Sequence, residues 1–265
     1  MKLAAQESLV PGESFAEKLA NLAAYGFDGV ELNGRDLRPR LPEIKAALAD
    51  SSVKASTICG GLRNLWIVPE REKREETVNA ARDLLQCAAE VGAAGIIFVP
   101  LFGRPQVPDL SPLTTVAQLQ RDLLVAVLRP LAREAADLGV TLILEPLNRY
   151  EARFPQDLAE GASICAEVDS PGLRLMGDFF HMSIEEADIA ASLRQAAPHL
   201  VHIHLADSNR HTPGLGHTAF VEPFRALAEI GYSGYGALEC RVPEPRDESL
   251  RATVAFLRAQ LAAAA

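Results

Sequence analysis

Short apolar runs alternate with longer amphipathic segments along the whole chain. The short runs have the length of buried strands, whereas the longer segments repeat apolar residues every three or four positions, as helices do. The short runs predict eight strands: Lys2–Gln6, Gly29–Asn33, Val53–Cys59, Ala94–Pro100, Val140–Glu145, Leu173–Asp178, Val201–Ala206 and Tyr235–Cys240. The longer segments predict eight helices: Ser14–Tyr25, Pro42–Ala49, Glu70–Val91, Leu119–Leu138, Gln156–Val168, Ile184–Ala196, Val221–Ile230 and Glu248–Leu261.

Eight strands, each followed by a helix, indicate a (β/α)8 barrel, also called a TIM barrel, formed by a single domain over residues 1–265. The main alternative is an open, doubly wound sheet, which usually carries a glycine-rich phosphate-binding turn after its first strand. Here Gly12 stands alone between Pro11 and Glu13. No linker rich in Gly or Ser divides the chain, so the α/β barrel is our prediction.

Charge and composition narrow the class of function. The net charge of −9 argues against a nucleic-acid partner, because phosphate binding usually needs a basic face. The chain has no apolar run of about 18 residues and no secretory signal at its N-terminus, so we expect no membrane partner. The four cysteines are far apart and form no CxxC pair, which indicates reduced thiols and a cytoplasmic location.

Side chains that can bind metals occur at the ends of the last four predicted strands. These residues are Glu145, Asp178, His204 and Glu239, and successive members are 33, 26 and 35 residues apart. The carboxyl ends of barrel strands meet at one face, so we expect the four side chains to converge there. Three converging carboxylates repel one another and require a cation. Three oxygen donors and one imidazole suit Mn²⁺ first, with Co²⁺, Mg²⁺ and Zn²⁺ as alternatives.

Each of these residues also has an ordinary structural explanation when it is taken alone. Asp178 could cap the helix that follows it, because an acid after a strand is often a helix N-cap. His202 and His204 could fill the barrel interior. Glu31, at the end of the second strand, either supports the site or pairs with Arg35 or another nearby base. The matched spacing of four such residues favours a shared metal site.

Several stretches of the chain are similar to one known family. They are GFDGVEL near the N-terminus and, in this order, LEPLNRYE, GDFFHMSIEE, HIHLADSNR, PGLGH and GYSGYGALEC. This set resembles the sugar isomerase/epimerase superfamily with the xylose isomerase-like TIM barrel, and within it the D-tagatose 3-epimerase branch of ketose 3-epimerases. The resemblance covers essentially the whole chain, and its second half is the more specific part.

The resemblance implies a metal-dependent reaction on a small sugar. In this family a Glu, an Asp, a His and a Glu hold the metal, and they match the four strand-end residues above. The family's substrate contacts match Glu151, His181 and Arg210. The implied mechanism has the metal on a carbonyl oxygen and the neighbouring hydroxyl of an open-chain ketose. One catalytic glutamate, Glu145 or Glu239, removes a carbon-bound proton to form an enediolate, and the other returns a proton to the opposite face.

These observations favour a divalent-metal-dependent isomerase or epimerase of a small ketose or related carbohydrate. A dehydratase of the same superfamily is an alternative, since it begins with the same proton abstraction and then expels a hydroxyl group. An apurinic-site endonuclease uses a related barrel with several zinc ions and many more histidines than the six present here. A non-catalytic carbohydrate-binding barrel would bind without turnover. The resemblance also leaves a homo-oligomer open.

Loops determine substrate choice in barrels, and two of them have open interpretations. The segment Leu101–Pro112 contains three prolines and is predicted either as a lid over the barrel mouth or as a rigid connector. Trp66, the single tryptophan, either walls the sugar pocket or packs beneath its loop. Ala219 stands where many relatives carry an acid, which is a departure from the family pattern.

Overall fold

Eight parallel strands pair in chain order and the last pairs with the first, which closes a barrel in this computed structural model of residues 1–265. The predicted (β/α)8 fold is therefore confirmed. The strands are β1 (Lys2–Gln6), β2 (Gly29–Asn33), β3 (Lys54–Cys59), β4 (Gly95–Phe98), β5 (Thr141–Leu144), β6 (Leu173–Asp178), β7 (Leu200–Leu205) and β8 (Tyr235–Leu238).

Nine helices cover the outside of the barrel. They are α1 (Phe15–Tyr25), α2 (Leu37–Ala49), α3 (Arg71–Val91), α4 (Val116–Asp137), α5 (Leu158–Val168), α6 (Phe179–Glu185), α7 (Ile189–Ala196), α8 (Val221–Glu229) and α9 (Arg246–Ala264). None of the nine combines the length and the apolar character that a membrane crossing requires.

One predicted helix is wrong, because Ile184–Ala196 contains parts of two helices. The Asp178 carboxylate accepts N–H groups of the first turn of α6, so that helix begins directly after β6. The backbone turns to an extended conformation at Glu186, and Asp188 then caps α7 by accepting the N–H of Ala191. Two acidic N-caps in one short segment start two helices.

Alternation along β5 directs its side chains to two different layers. Leu142 and Leu144 belong to the large core between the barrel and the helices. Ile143 instead packs with Ile97 and Met176 in a small separate cluster inside the barrel. Since side chains two residues apart share a face, the residue after the strand, Glu145, points to the barrel axis.

The strands that precede the two glutamates end slightly earlier than predicted. β5 and β8 stop just before Glu145 and Glu239. The main chain still follows the sheet, because the Glu145 N–H donates to Phe98 O at 3.1 Å and the Glu239 N–H donates to Leu205 O at 3.4 Å. Both carboxylates therefore extend from backbone that a neighbouring strand holds in place.

Trp66 has a packing role. Its side chain is fully buried in the main core, and its ring centroid lies 4.8 Å from that of Phe98. This position agrees with packing beneath its loop and not with a wall of a sugar pocket.

Candidate active site

The four strand-end residues predicted as metal ligands meet at the carboxyl end of the barrel. Each offers a ligand atom, and these atoms all lie within 4.8 Å of one another: Glu145, Asp178, His204 and Glu239. His204 Nδ1 lies 3.1 Å from Glu239 Oε2, 3.7 Å from Glu145 Oε1 and 3.8 Å from Asp178 Oδ2. We call this group the acidic cluster.

The acidic cluster has the chemistry of a divalent cation site. Glu145 Oε1 and His204 Nδ1 are buried and have no hydrogen-bond partner. Buried polar atoms in proteins nearly always have a partner, so these two atoms are suited to a bound cation. Three carboxylates and one imidazole are ligands that Mn²⁺ and similar ions accept. The residues present thus fit the metal that the sequence predicts.

Glu31 orients His204 from the other side of the barrel. His204 Nε2 lies 3.0 and 3.1 Å from the two carboxylate oxygens of Glu31. Because a carboxylate only accepts, Nε2 carries a proton and Nδ1 faces the acidic cluster, the usual arrangement for a metal-binding histidine. Thr57 Oγ1 and His202 Nε2 also contact Glu31, at 2.6 and 3.0 Å. Glu31 therefore supports the site and does not pair with Arg35.

Gln6 connects this support to the acidic cluster. Its Nε2 donates to Glu31 Oε1 and to Glu239 Oε1, both at 3.0 Å. Gln6 is absent from the residues predicted from the sequence, because a glutamine is not among the side chains that typically bind metals. Its place as the last residue of β1, paired in register with Glu31, is the signal that could have revealed it.

Asp178 caps a helix and also faces the acidic cluster. Its Oδ1 caps α6 by accepting the N–H of Phe180 at 2.7 Å, while Oδ2 faces the acidic cluster and lies 2.6 Å from Arg210 Nη1. Burial alone would raise the pKa of Asp178, but the charge of Arg210 holds it well below its usual range. The carboxylate is thus ionised and fixed in orientation.

Arg210, predicted as a substrate contact, lies directly beside the acidic cluster. Its guanidinium contacts Asp178 and Glu239 and covers the ring of Phe180 at 4.7 Å from the centroid. The backbone of Arg210 is left-handed, with φ of 63°, and the neighbouring loop is held by Asp207. The Asp207 carboxylate accepts backbone N–H groups of three loop residues: Ser208, Gly214 and Thr218.

The other two predicted substrate contacts lie on the β6 and β5 side of the site. His181 is buried, and its Nε2 lies 3.8 Å from Asp178 Oδ2. Glu151 lies farther out, with 46% of its side chain exposed and its Oε1 4.0 Å from His181 Nδ1. Asn148, which is absent from the predicted site residues, contacts both side chains.

The two candidate catalytic glutamates have opposite pKa shifts. Burial raises the pKa of Glu145, and the charge of Glu239 raises it further. Burial also acts to raise the pKa of Glu239, but His204 and Arg210 outweigh it and lower the pKa below its ordinary value. The two glutamates thus differ in the direction of their pKa shifts because their surroundings differ.

A polar cavity of about 220 Å³ opens beside the acidic cluster at the ends of the first three strands. Its lining includes Gln6, Asn33, Arg35, Cys59 and Glu239. The loops after β4 and β5 form another part of the rim of the barrel mouth. There the Gly103 N–H donates to Glu151 O at 2.7 Å. A lid role for Leu101–Pro112 stays a prediction.

Comparison with known proteins identifies the family. The model of the xylose isomerase-like TIM barrel family matches residues 19–260. The chain belongs to this family. The superfamily resemblance seen in the sequence is confirmed.

Two relatives of this chain are sugar epimerases by name. The chain is 33% identical over 262 residues to a 3-dehydro-D-guloside 4-epimerase of Escherichia coli, covering 97% of this chain and 99% of that protein. It is 40% identical over 111 residues to a D-psicose 3-epimerase of Ruminiclostridium cellulolyticum, covering 42% of this chain and 38% of that protein. The chain is therefore an enzyme of the sugar epimerase and isomerase type, as the sequence predicts.

A solved structure agrees with this assignment. The crystal structure of a 3-keto-D-glucoside 4-epimerase from E. coli, in its apo form, superimposes with a TM-score of 0.88 at 32% sequence identity. The match covers 98% of this chain and 99% of that one.

Proposed function

We propose that this protein is a divalent-metal-dependent epimerase that inverts a carbon next to the carbonyl group of a small carbohydrate. The observation that carries the proposal is the acidic cluster, in which carboxylates of Glu145 and Glu239, from two different strand ends, lie 3.7 and 3.1 Å from His204 Nδ1. Epimerisation at such a carbon needs one group to remove a proton and a second group to return one from the other face.

A divalent ion is part of the proposal. The four residues of the acidic cluster would hold it, with Mn²⁺ first and Co²⁺, Mg²⁺ and Zn²⁺ as alternatives. When bound, it would supply Lewis-acid stabilisation of negative charge on substrate oxygens, worth several kcal/mol. The unpartnered atoms Glu145 Oε1 and His204 Nδ1 support this part of the proposal.

Glu145 and Glu239 exchange the proton with the substrate carbon. They follow β5 and β8, which are separated by two strands of the closed barrel, so they approach a bound sugar from different sides. The group that removes the proton in one direction donates it in the reverse direction, because an epimerase works reversibly. Both glutamates are therefore needed for turnover in either direction.

Two further side chains bind the substrate oxygens in this proposal. Arg210 and His181 lie beside the acidic cluster and can donate hydrogen bonds to oxygens that gain negative charge. Glu151 contributes from the rim, where it can accept from a sugar hydroxyl. The polar cavity beside Glu239 receives the rest of the sugar.

The comparisons give an order for testing substrates. The relative matched over the whole chain acts on a 3-dehydro-D-guloside at carbon 4, whereas the ketose 3-epimerase in the comparison is matched over 42% of the chain. We therefore place 3-keto glycosides first and free ketoses such as D-psicose second.

Deuterium exchange tests the function even when the product has not been identified. The protein is loaded with Mn²⁺, Co²⁺ or Mg²⁺ and incubated in D₂O with the sugar panel, and the metal is removed before NMR spectra are recorded. We expect deuterium at a carbon next to the carbonyl group and two epimers in the mixture. A product lighter by one water would identify a dehydratase, and binding without exchange would identify a non-catalytic barrel. In a separate assay, cleavage of abasic DNA would identify an endonuclease.

The Glu239→Gln variant tests the mechanism. The amide cannot take up the proton, so conversion of one epimer into the other should fall by about 10³-fold or more while the fold is kept. Glu134→Gln, on α4 and paired with Arg82, is the matched control and should exchange normally. Normal interconversion of the two epimers by Glu239→Gln would contradict the proposed proton transfer.

The cytoplasmic location and a homo-oligomer stay predictions from the sequence. Light scattering during size-exclusion chromatography measures the oligomeric state directly.

A further inference from the structure

Asn148 uses every hydrogen-bonding group of its buried side chain. Its Oδ1 accepts the backbone N–H of Tyr150 at 3.0 Å. Its Nδ2 donates to Glu151 Oε1 at 3.0 Å and lies 2.7 Å from His181 Nδ1. Because a backbone N–H only donates, the amide oxygen must face Tyr150, so the amide nitrogen faces Glu151 and His181.

These contacts determine which nitrogen of His181 carries the proton. His181 Nδ1 receives the side-chain amide of Asn148 and also its backbone N–H, at 3.3 Å. A nitrogen that accepts from two donors carries no proton, so the neutral ring is protonated at Nε2. The nearby Asp178 Oδ2, at 3.8 Å, is too distant for a hydrogen bond. The Nε2–H group is therefore free to donate to a bound molecule.

We propose that Asn148 is a positioning residue that holds His181 as the Nε2–H tautomer, so that His181 donates a hydrogen bond to a substrate oxygen. The second half of this statement rests on the proposed function, whereas the tautomer rests on geometry alone. The Nδ1–H tautomer would direct a lone pair at the same oxygen and repel it as negative charge develops there. The same amide holds Glu151 at the rim, so one side chain aligns both predicted substrate contacts.

The Asn148→Asp variant replaces the amide NH₂ donor with a carboxylate oxygen that accepts, and the side chain keeps nearly the same shape. The new carboxylate oxygen only accepts, so it draws a proton to His181 Nδ1 and repels Glu151. Asn148→Ala removes the amide and keeps the backbone N–H, so the tautomer should persist while the ring is less firmly held. Asn79→Asp, on the exposed side of α3, is a control for the added charge.

Nitrogen NMR reads the tautomer without any turnover. Long-range ¹H–¹⁵N spectra distinguish a protonated ring nitrogen from an unprotonated one, and the His181 signals are identified by their loss in His181→Gln. For the wild type we expect an unprotonated Nδ1 and a protonated Nε2, and for Asn148→Asp a protonated Nδ1. A protonated Nδ1 in the wild type, or an unprotonated Nδ1 in Asn148→Asp, would overturn the proposal.

Kinetics then test the positioning role. For Asn148→Asp we expect kcat for deuterium exchange to fall about 100-fold with KM changed less than about 3-fold, because this hydrogen bond strengthens as charge develops. For Asn148→Ala we expect about a 10-fold loss. Full activity of Asn148→Asp with an altered tautomer would refute the role. If the wild type exchanges no sugar, the proposed function fails, and the NMR result still decides the tautomer.

Discussion

The two halves of the barrel contribute to the site in different ways. The ends of β5 to β8 supply the acidic cluster, whose side chains have the chemistry of metal ligands. The ends of β1 and β2 supply Gln6 and Glu31, which contact the cluster from behind, and Thr57 in β3 donates a hydrogen bond to Glu31. In the proposed function, one half provides the reactive groups and the other half orients them.

A closed chain of hydrogen bonds and contacts joins the halves. Gln6 donates to Glu31 and Glu239, and these two carboxylates face opposite nitrogens of His204. Burial alone would raise the pKa of Glu31, but the hydrogen bonds from His202 and His204 contribute to holding it well below the ordinary value. A permanently charged carboxylate keeps the imidazole in one orientation. Damage to the supporting half should therefore weaken metal binding although every ligand is present.

The largest effect is expected for Glu31→Gln. The glutamine amide keeps one acceptor oxygen, but its NH₂ group replaces the other. This NH₂ group faces the donors that Glu31 accepts from, which belong to Thr57, His202 and His204, so His204 loses its fixed orientation. We expect Mn²⁺ affinity to fall about 10- to 100-fold in isothermal titration calorimetry. Unchanged affinity in a variant with a native melting temperature would show that the supporting half has no such role.

A smaller effect is expected for Gln6→Leu. Leucine removes both donors and leaves Glu31 Oε1 and Glu239 Oε1 with one partner fewer each. We expect about a 10-fold loss of deuterium exchange and a weaker effect on Mn²⁺ affinity, at the lower end of the range for groups that orient ligands. An effect as large as that of Glu31→Gln would mean that Gln6, not Glu31, dominates the support.

The smallest effect concerns the rim of the second half. Arg149 Nη2 lies 2.8 Å from Glu185 Oε2, whose side chain is 8% exposed, and this hydrogen bond lowers the pKa of Glu185 from its ordinary 4.5. A lowered pKa in the folded state means that the pair stabilises the fold above about pH 4.5 and loses this contribution as pH falls through the folded pKa.

Glu185→Gln should therefore lower the free energy of unfolding at pH 7 by roughly 1 kcal/mol, and the difference from the wild type should shrink as the pH falls below about 4.5. Urea denaturation at a series of pH values measures it. A difference independent of pH would contradict the charge argument and indicate lost packing instead.

The order of residue types along the chain was sufficient to predict the barrel and the acidic cluster. Eight alternations of strand and helix indicate the fold, and the alternation that sets Ile143 toward the axis also places Glu145 there. Matched spacing brings together four side chains of types that can bind a metal. These features can be predicted from the sequence because they depend on residue type and on the spacing of residues along the chain.

Only the folded chain shows which side chains contact and orient the acidic cluster and His181. Gln6 contacts Glu239 across 233 positions of sequence, and Glu31 contacts His204 across 173. In the sequence Asn148 is an ordinary loop asparagine, and its contact with His181 exists only in the folded chain. Such contacts depend on distances across the barrel and on side-chain rotamers, and no local pattern of residues encodes either of them.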